Sequence, residues 1–305
     1  MKNAIKVLCF TLAVLIIGTA SFWIYFKWDK TDFDYVDGTD KGTVMITGYK
    51  GEEKDIKIPD RLRGKKVTQI DSLAFEESDI TSIEIGDNVT YIGKSAFRGC
   101  KSLKTVELGN SVLNIDEGCF NDCPLLEEVL LPKSLEKLGG SIFAGCTAMK
   151  KVEVEEGGSF VIKDDVLLSA DMKTIYFALP YAKLGNYTCP DTVEKIETLA
   201  FYNCESLTGF TFSNKIKALP QGVFVNCKNI KEISLPDSMT KIDAAVITNS
   251  AIKTITIPVS VKEINKSAFV KSDGETDKEL LIRTTAESKA DIFAKENGMK
   301  VEYIK

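Results

Sequence analysis

Hydrophobic residues recur along this chain at an interval of 22 or 23 residues. The most visible is a phenylalanine that occupies the same place in seven units: Phe75, Phe97, Phe120, Phe143, Phe201, Phe224 and Phe269. The step of 58 residues from Phe143 to Phe201 equals one unit plus 35 residues, and Ile247 takes the place between Phe224 and Phe269. A fixed interval of this length predicts a repeat protein.

Each unit closes on a triplet in which a variable residue stands between two apolar residues. This alternation is typical of a strand with one buried face. The apolar pairs are Ile83/Ile85, Val106/Leu108, Val129/Leu131, Val152/Val154, Phe210/Phe212, Ile233/Leu235 and Ile255/Ile257. One short strand cannot close a core alone, so the units are expected to stack as a repeat solenoid with a parallel β-sheet face and short irregular or helical return segments.

A cysteine follows the phenylalanine by three residues in five units. The members of this column are Cys100, Cys123, Cys146, Cys204 and Cys227. They recur with the repeat and not as CxxC pairs, so we interpret them as buried thiols that act as small hydrophobic residues. Zinc binding or a disulfide between two coils remains the alternative. The sequence predicts no metal site and no cofactor.

Three segments carry a resemblance to a known family. They are VTYIGKSAFRGC at 89–100, LKTVEL at 103–108 and ISLPDSMTKI at 233–242. These segments resemble the BspA-type leucine-rich repeat family, and the resemblance runs from about Phe33 to Lys305. It implies a leucine-rich-repeat-like right-handed superhelix, with capping strands at 42–66, the repeat solenoid at 67–284 and a C-terminal cap with a helix at 285–305. It also implies a surface-exposed binding or adhesion module.

The N-terminal segment predicts a membrane anchor. Residues 7–26 contain no charged side chain, and twenty helical residues span about 30 Å, the thickness of a bilayer core. Lys2 and Lys6 would keep the short N-terminus, residues 1–6, in the cytoplasm and place the repeats outside. Residues 29–41 would act as a tether. The alternative is a cleaved signal peptide and a secreted protein, because Gly18, Thr19 and Ala20 supply small residues after an apolar run.

The stretched interval between Val154 and Val193 predicts a hairpin insertion at about 155–190. Candidate strands are 160–162, 166–168 and 174–177, around a polar turn at 170–173. We expect this insertion to bulge from one flank of the solenoid without breaking the stack.

Composition argues against two functional classes. Histidine is absent from all 305 residues, which removes the commonest general base and every metal site that contains histidine. We therefore expect no enzymatic activity. Residues 29–305 carry 36 basic and 44 acidic side chains, a net charge of −8, which disfavours nucleic acid as a partner.

The exposed face of the predicted sheet is the candidate binding surface. Its members are Glu84, Glu107, Glu128, Leu130, Glu153, Thr211, Glu232, Ser234 and Thr256. The surface would be acidic over the first coils and rich in hydroxyl groups over the later ones. We expect it to bind a protein or glycoprotein at the cell surface. The alternatives are a structural spacer or envelope scaffold with a merely solvated face, and Ca²⁺ binding by the four glutamates at 84, 107, 128 and 153.

Overall fold

The computed structural model describes residues 31–304. The predicted membrane anchor at residues 7–26 lies outside this range. Within it, every helix is too short or too polar to cross a bilayer. The strands are β1 (Phe33–Asp37), β2 (Thr43–Tyr49), β3 (Asp55–Lys57), β4 (Arg61–Leu62), β5 (Lys65–Ile70), β6 (Ser82–Glu84), β7 (Tyr91–Ile92), β8 (Thr105–Glu107), β9 (Asn114–Ile115), β10 (Glu128–Leu131), β11 (Lys137–Leu138), β12 (Lys151–Val154), β13 (Phe160–Lys163), β14 (Val166–Ser169), β15 (Thr174–Ala178), β16 (Gly185–Thr188), β17 (Lys195–Ile196), β18 (Leu207–Thr211), β19 (Ala218–Leu219), β20 (Glu232–Ser234), β21 (Lys241–Ile242), β22 (Thr254–Thr256), β23 (Glu263–Ile264), β24 (Leu281–Thr284) and β25 (Lys300–Tyr303), and the helix is α1 (Lys289–Glu296).

The triplets form parallel sheets along one side of the stack, here called the sheet face. In the first half the strand order is β12-β10-β8-β6-β3, and in the second half β16 pairs with β18 and the order β20-β22-β24-β25 follows. The pairing is in register, with Ile83 opposite Val106 and Val129 opposite Val152. Their side chains are buried, and the residues between them point outward. The solenoid and its parallel sheet are confirmed.

The return side of the stack is a second parallel array, in which every strand after β5 has only two residues. β5, β7, β9 and β11 pair in order in the first half, and β19, β21 and β23 pair in the second. Ile92 and Ile115 are partners in this sheet, and both are buried. The sequence predicted irregular or helical segments here. Two residues are too few to show the alternation that identifies a strand.

The phenylalanine column is the centre of the core. In the first half, the rings of Phe75, Phe97, Phe120 and Phe143 lie 5.0 to 5.8 Å apart, with interplanar angles of 8 to 17°. Each ring is at most 3% exposed. Offset stacking at this spacing adds to the free energy of burial. The second-half members, Phe201, Phe224 and Phe269, are also buried.

The cysteine column satisfies a backbone carbonyl in the neighbouring coil. The thiols of Cys100, Cys123 and Cys146 each donate to the carbonyl of the phenylalanine in the preceding coil, at 3.1 Å, and Cys227 repeats the contact with Phe201. A thiol is small enough for the corner and still donates weakly. All seven cysteines of residues 31–304 are free and buried.

The 35 additional residues divide the core into two clusters. Strands β13, β14 and β15 pair antiparallel with one another, and β15 pairs parallel with β17. Leu167 and Phe177 pack into the first cluster, whereas Val166, Leu168 and Ile175 pack into the second. The expectation of a bulge on one flank is therefore wrong. Strands β13–β15 lie between the two halves, because β14 and β15 each place side chains in both clusters, and β14 is buried on both of its faces. We call this junction the seam.

The C-terminal helix α1 covers the last coil. Its first turn is capped by Ser288, whose side chain accepts from the Asp291 amide at 3.1 Å, and Asp291 in turn accepts from Lys295 at 2.9 Å. Phe293 meets Phe269 edge to face, with ring centroids 5.8 Å apart. An apolar end of the solenoid is thus shielded from water. The terminal helix cap is confirmed.

Candidate binding surfaces

The structure brings the sequence-predicted residues together along the sheet face. Glu84 lies on β6, Glu107 on β8, Glu128 and Leu130 on β10, and Glu153 on β12. The later members follow on β18, β20 and β22: Thr211, Glu232, Ser234 and Thr256. All are exposed except Glu84 and Thr256, which are half-buried. Neighbours in this column are paired residues of adjacent strands, so the surface is wide and its side chains stand on hydrogen-bonded backbone.

Lysine side chains interleave with the acidic column and reduce its charge. Glu84 accepts from Lys57, which raises the pKa of Lys57 through that hydrogen bond. Glu153 pairs with Lys151 at 2.9 Å. The Lys150 ammonium lies 2.8 Å from Glu127 and holds the pKa of that carboxyl below its usual range. Exposed pairs of this kind contribute little to stability, but they leave a mixed surface instead of a continuous acidic patch.

Leu130 is the most prominent apolar side chain of this surface. It is 48% exposed, although both of its neighbours in the strand, Val129 and Leu131, are buried. It borders a shallow hollow of about 160 Å³ with Glu107 and Glu155 among its lining residues. An exposed leucine beside a hollow with acidic members is suited to a partner that presents apolar and basic side chains.

The second half of the sheet face carries a cation that the sequence-predicted set does not include. Arg283 stands beside Thr256 in the pairing of β22 with β24. Its guanidinium contacts Glu302 at 2.9 Å and Glu232 at 3.6 Å. The hydroxyl-rich region is therefore bounded by a charged cluster of Arg283, Glu232 and Glu302. Arg283 was missed because its triplet, Ile282 to Thr284, follows a longer interval than the other units have.

The acidic residues do not converge as metal ligands do. Across residues 31–304, no three side chains of histidine, cysteine, aspartate or glutamate cluster closely enough to hold an ion. Burial also raises the pKa of the Cys189 thiol and of the Cys204 thiol to about 12, so both stay protonated at neutral pH. Nucleophilic or metal-ligand chemistry requires the thiolate.

A larger recess opens at the seam, where sequence reasoning placed no site. This recess, the seam groove, has a volume of about 540 Å³ and lies between the corners of two coils, at residues 141–147 and 199–206, with residues 177–183 also lining it. The tyrosines at 181 and 202 are half-buried in its lining, and Lys183 and Glu205 are exposed there.

The origin of the seam groove is a shortened coil. Residues 174–188 pair with residues 195–211 at both ends, although they are two residues fewer. One of the two missing residues falls in the corner between Ile175 and Gly185, and the other falls at the register shift where Gly185 pairs with Leu207 and Asn186 with Gly209. A comparison of these two segments in the sequence is the signal that would have located the groove.

A family model supports the repeat assignment. The model, described as a BspA type leucine rich repeat region, matches residues 68–188 and 180–275. A search of curated protein sequences finds no significant match.

Solved structures share the fold. The pneumococcal vaccine antigen PcpA superposes with a TM-score of 0.62 at 18% identity, over 90% of this chain and 98% of that one. A leucine-rich repeat protein from Eubacterium ventriosum superposes with a TM-score of 0.56 at 17% identity, over 90% and 83%. At such identities the likeness extends to the fold alone.

Proposed function

Because the chain belongs to the BspA-type leucine-rich repeat family, we propose that it is a surface protein that binds a protein or glycoprotein through its sheet face, and that it has no catalytic role. The observation that carries the proposal is Leu130. Its side chain is 48% exposed in the middle of a polar sheet, between two strands that hold the backbone rigid. An exposed apolar side chain on a fixed support is a typical anchor of a protein interface.

The charges around Leu130 indicate what kind of partner fits. Glu107 and Glu155 line the adjacent hollow, and Glu128 lies two residues from Leu130 in the same strand. None of these three carboxylates has an ion-pair partner within residues 31–304, whereas Glu84 and Glu153 do. We therefore place the contact around Glu107, Glu128 and Leu130, and expect the partner to offer lysine or arginine around an apolar side chain.

The test is binding of the purified full chain to a panel of extracellular matrix and cell-surface glycoproteins. We expect saturable binding to at least one of them, and Leu130→Ala should weaken it about tenfold, as truncation of an interface anchor does. Leu125→Ala is the matched control. Leu125 is 44% exposed in the corner of the same coil, away from the sheet face. Equal affinity of both variants would rule out the sheet face around Leu130.

The second candidate is a structural spacer with no specific ligand. The ion pairs along the face favour it, because Lys57–Glu84, Lys151–Glu153 and Arg283–Glu302 satisfy many of the exposed charges within the chain. This alternative predicts that no member of the panel binds. It also predicts that the charge-reversed variant Glu84→Lys/Glu107→Lys/Glu153→Lys reaches the cell surface in normal amounts.

We further propose that residues 7–26 anchor the protein in the membrane with the repeats outside. The support is the uncharged apolar run and the two lysines before it. The protein should remain in the membrane fraction after carbonate extraction, and protease added to intact cells should remove the repeats. Release of a shortened chain into the medium would instead indicate cleavage of a signal peptide.

A further inference from the structure

The corners of successive coils are joined by a regular ladder of backbone hydrogen bonds. At Phe75, Phe97, Phe120, Phe201 and Phe224, the N–H of the phenylalanine and the N–H two residues later donate to carbonyls of the next coil. Phe75 and Glu77 donate to the carbonyls of Ala96 and Arg98 at 2.7 and 2.8 Å, and Phe201 and Asn203 donate to Val223 and Val225. At the corner of Ile247 the bonds to the next coil come from Ala245 and Val246 instead.

This ladder is interrupted at the seam. The repeat assigns Phe143 and Gly145 as the next donors, but neither N–H has an acceptor within residues 31–304. The carbonyl of Ala200 accepts instead from Ala178 at 2.7 Å.

The interruption leaves an acceptor unpaired as well. By the ladder spacing, the donor to the Tyr202 carbonyl would be residue 180, two residues after Ala178. Residue 180 is proline, which has no N–H. The Tyr202 carbonyl consequently has no donor in the described part of the chain.

These unpaired groups belong to the residues that line the seam groove. Phe143 and Gly145 belong to the lining corner at residues 141–147, and Tyr202 belongs to the lining corner at residues 199–206. Two N–H groups two residues apart, with a carbonyl in the neighbouring corner, are a pattern that an extended polypeptide can satisfy when it pairs with open backbone. The half-buried rings of Tyr181 and Tyr202 offer an apolar surface for one side chain of such a segment.

We propose that the seam groove binds an extended segment of a partner polypeptide by backbone pairing. The segment accepts hydrogen bonds from the N–H groups of Phe143 and Gly145 and donates one to the Tyr202 carbonyl. An apolar or aromatic side chain of the segment packs against Tyr181 and Tyr202. This site is separate from the sheet face around Leu130, and the proposal stands or falls independently of binding there.

The test starts from a phage-displayed library of random linear octapeptides that is selected on the full chain. Selected peptides are synthesised, and their affinity is measured for the unaltered chain and for two variants. Ala144→Trp fills the groove, because Ala144 lines it at the corner position after Phe143. Arg98→Trp is the matched control, since Arg98 holds the same corner position two coils earlier and is exposed. Melting temperatures of both variants establish that they fold.

We expect Ala144→Trp to weaken peptide binding at least about tenfold and Arg98→Trp to leave it unchanged. Amide exchange at Phe143 and Gly145 should be faster than at Phe120 and Asp122 in the free chain, and should slow when peptide binds. Peptides that are N-methylated at odd-numbered positions and peptides N-methylated at even-numbered positions should differ. Only the set whose N–H groups face the groove should lose binding. Three results would overturn the proposal: a selection that yields no binder, binders that are insensitive to Ala144→Trp, or a glycan array in which sugars and not peptides compete for the groove.

Discussion

The two halves of the stack share one backbone repeat but pack their aromatic columns differently. Before the seam, four rings stack nearly parallel. After it, the ring planes of Phe201 and Phe224 are 30° apart at 5.9 Å, Phe210 meets both rings edge on, and Ile247 replaces the next ring. The corner hydrogen bonds nevertheless recur in both halves, at Phe75, Phe97 and Phe120 and again at Phe201 and Phe224. The coil is therefore defined by its backbone ladder, and the column tolerates any apolar side chain that fills the space.

The largest effect is expected from truncating a stacked ring. Phe97→Ala should lower the free energy of unfolding by about 3–5 kcal/mol, because Phe97 is fully buried between two rings and the cavity cannot collapse. Phe201→Ala should cost about 1 kcal/mol less, since the Phe210 ring, 4.9 Å away, is placed to fill part of the space. Chemical denaturation, followed by hydrogen exchange in peptides from each half, measures both values. Equal losses of unfolding free energy in the two variants would show that the parallel stacking of the rings adds nothing to stability.

Alkaline pH should destabilise the fold through its buried thiols, two of which, Cys189 and Cys204, lie beside the seam. Burial raises the pKa of Cys189 and of Cys204 to about 12 in the folded chain, whereas an unfolded thiol titrates near 8.5. The stabilisation is thus complete below about pH 8.5 and is lost as the pH rises towards 12. By pH 10 the loss is roughly 1–2 kcal/mol per thiol. Urea midpoints between pH 7 and 10 measure it, and a double variant, Cys189→Ala with Cys204→Ala, should show a shallower decline.

The cysteine column provides a third comparison across the seam. Cys123 donates to the Phe97 carbonyl at 3.1 Å, and Cys123→Ala should cost about 1–2 kcal/mol because that bond is lost and a small void remains. The Cys204 thiol has no carbonyl acceptor in the described residues, since the shortened coil lacks the corner that would supply it. Cys204→Ala should cost less than about 1 kcal/mol. Thermal melts of the two variants decide the order, and a larger loss for Cys204→Ala would refute the assigned role of the carbonyl bond.

The repeat interval was sufficient to predict most of the fold. A buried ring and a buried thiol recur in most coils as side-chain identities, so Phe97 and Cys123 are visible in the sequence. The two-residue strands of the return side are not, because Ile92 and Ile115 mark a strand only through their neighbours in adjacent coils.

The seam was hidden from sequence reasoning for a different reason. Val166, Leu167 and Leu168 are consecutive and all fully buried, and a run of this kind does not reveal which cores its two faces contact.

The candidate surface was located only in part. Alternation identified Leu130 and Glu107 as outward residues. It could not show that Glu84 pairs with Lys57 on another strand, or that the Glu153 side chain adopts the rotamer that reaches Lys151. The unpaired N–H groups of the seam groove depend on where the ladder stops.

The smallest expected effect concerns a corner position where the backbone is left-handed in most coils. This position, two residues before the phenylalanine, is glycine at 118 and 222, but it is leucine at 73, with φ of 63°. A leucine side chain is strained there, and Leu73 is 50% exposed, so it loses little packing when removed. Leu73→Gly should raise the free energy of unfolding by up to about 1 kcal/mol. Leu73→Ala keeps a Cβ atom at positive φ and should give no gain.

Urea denaturation of both variants, compared with Leu199→Gly beyond the seam, tests whether the same strain exists in the two halves. Leu199 lines the seam groove, so the relief of strain there should be offset by lost contacts, and its gain should be the smaller of the two.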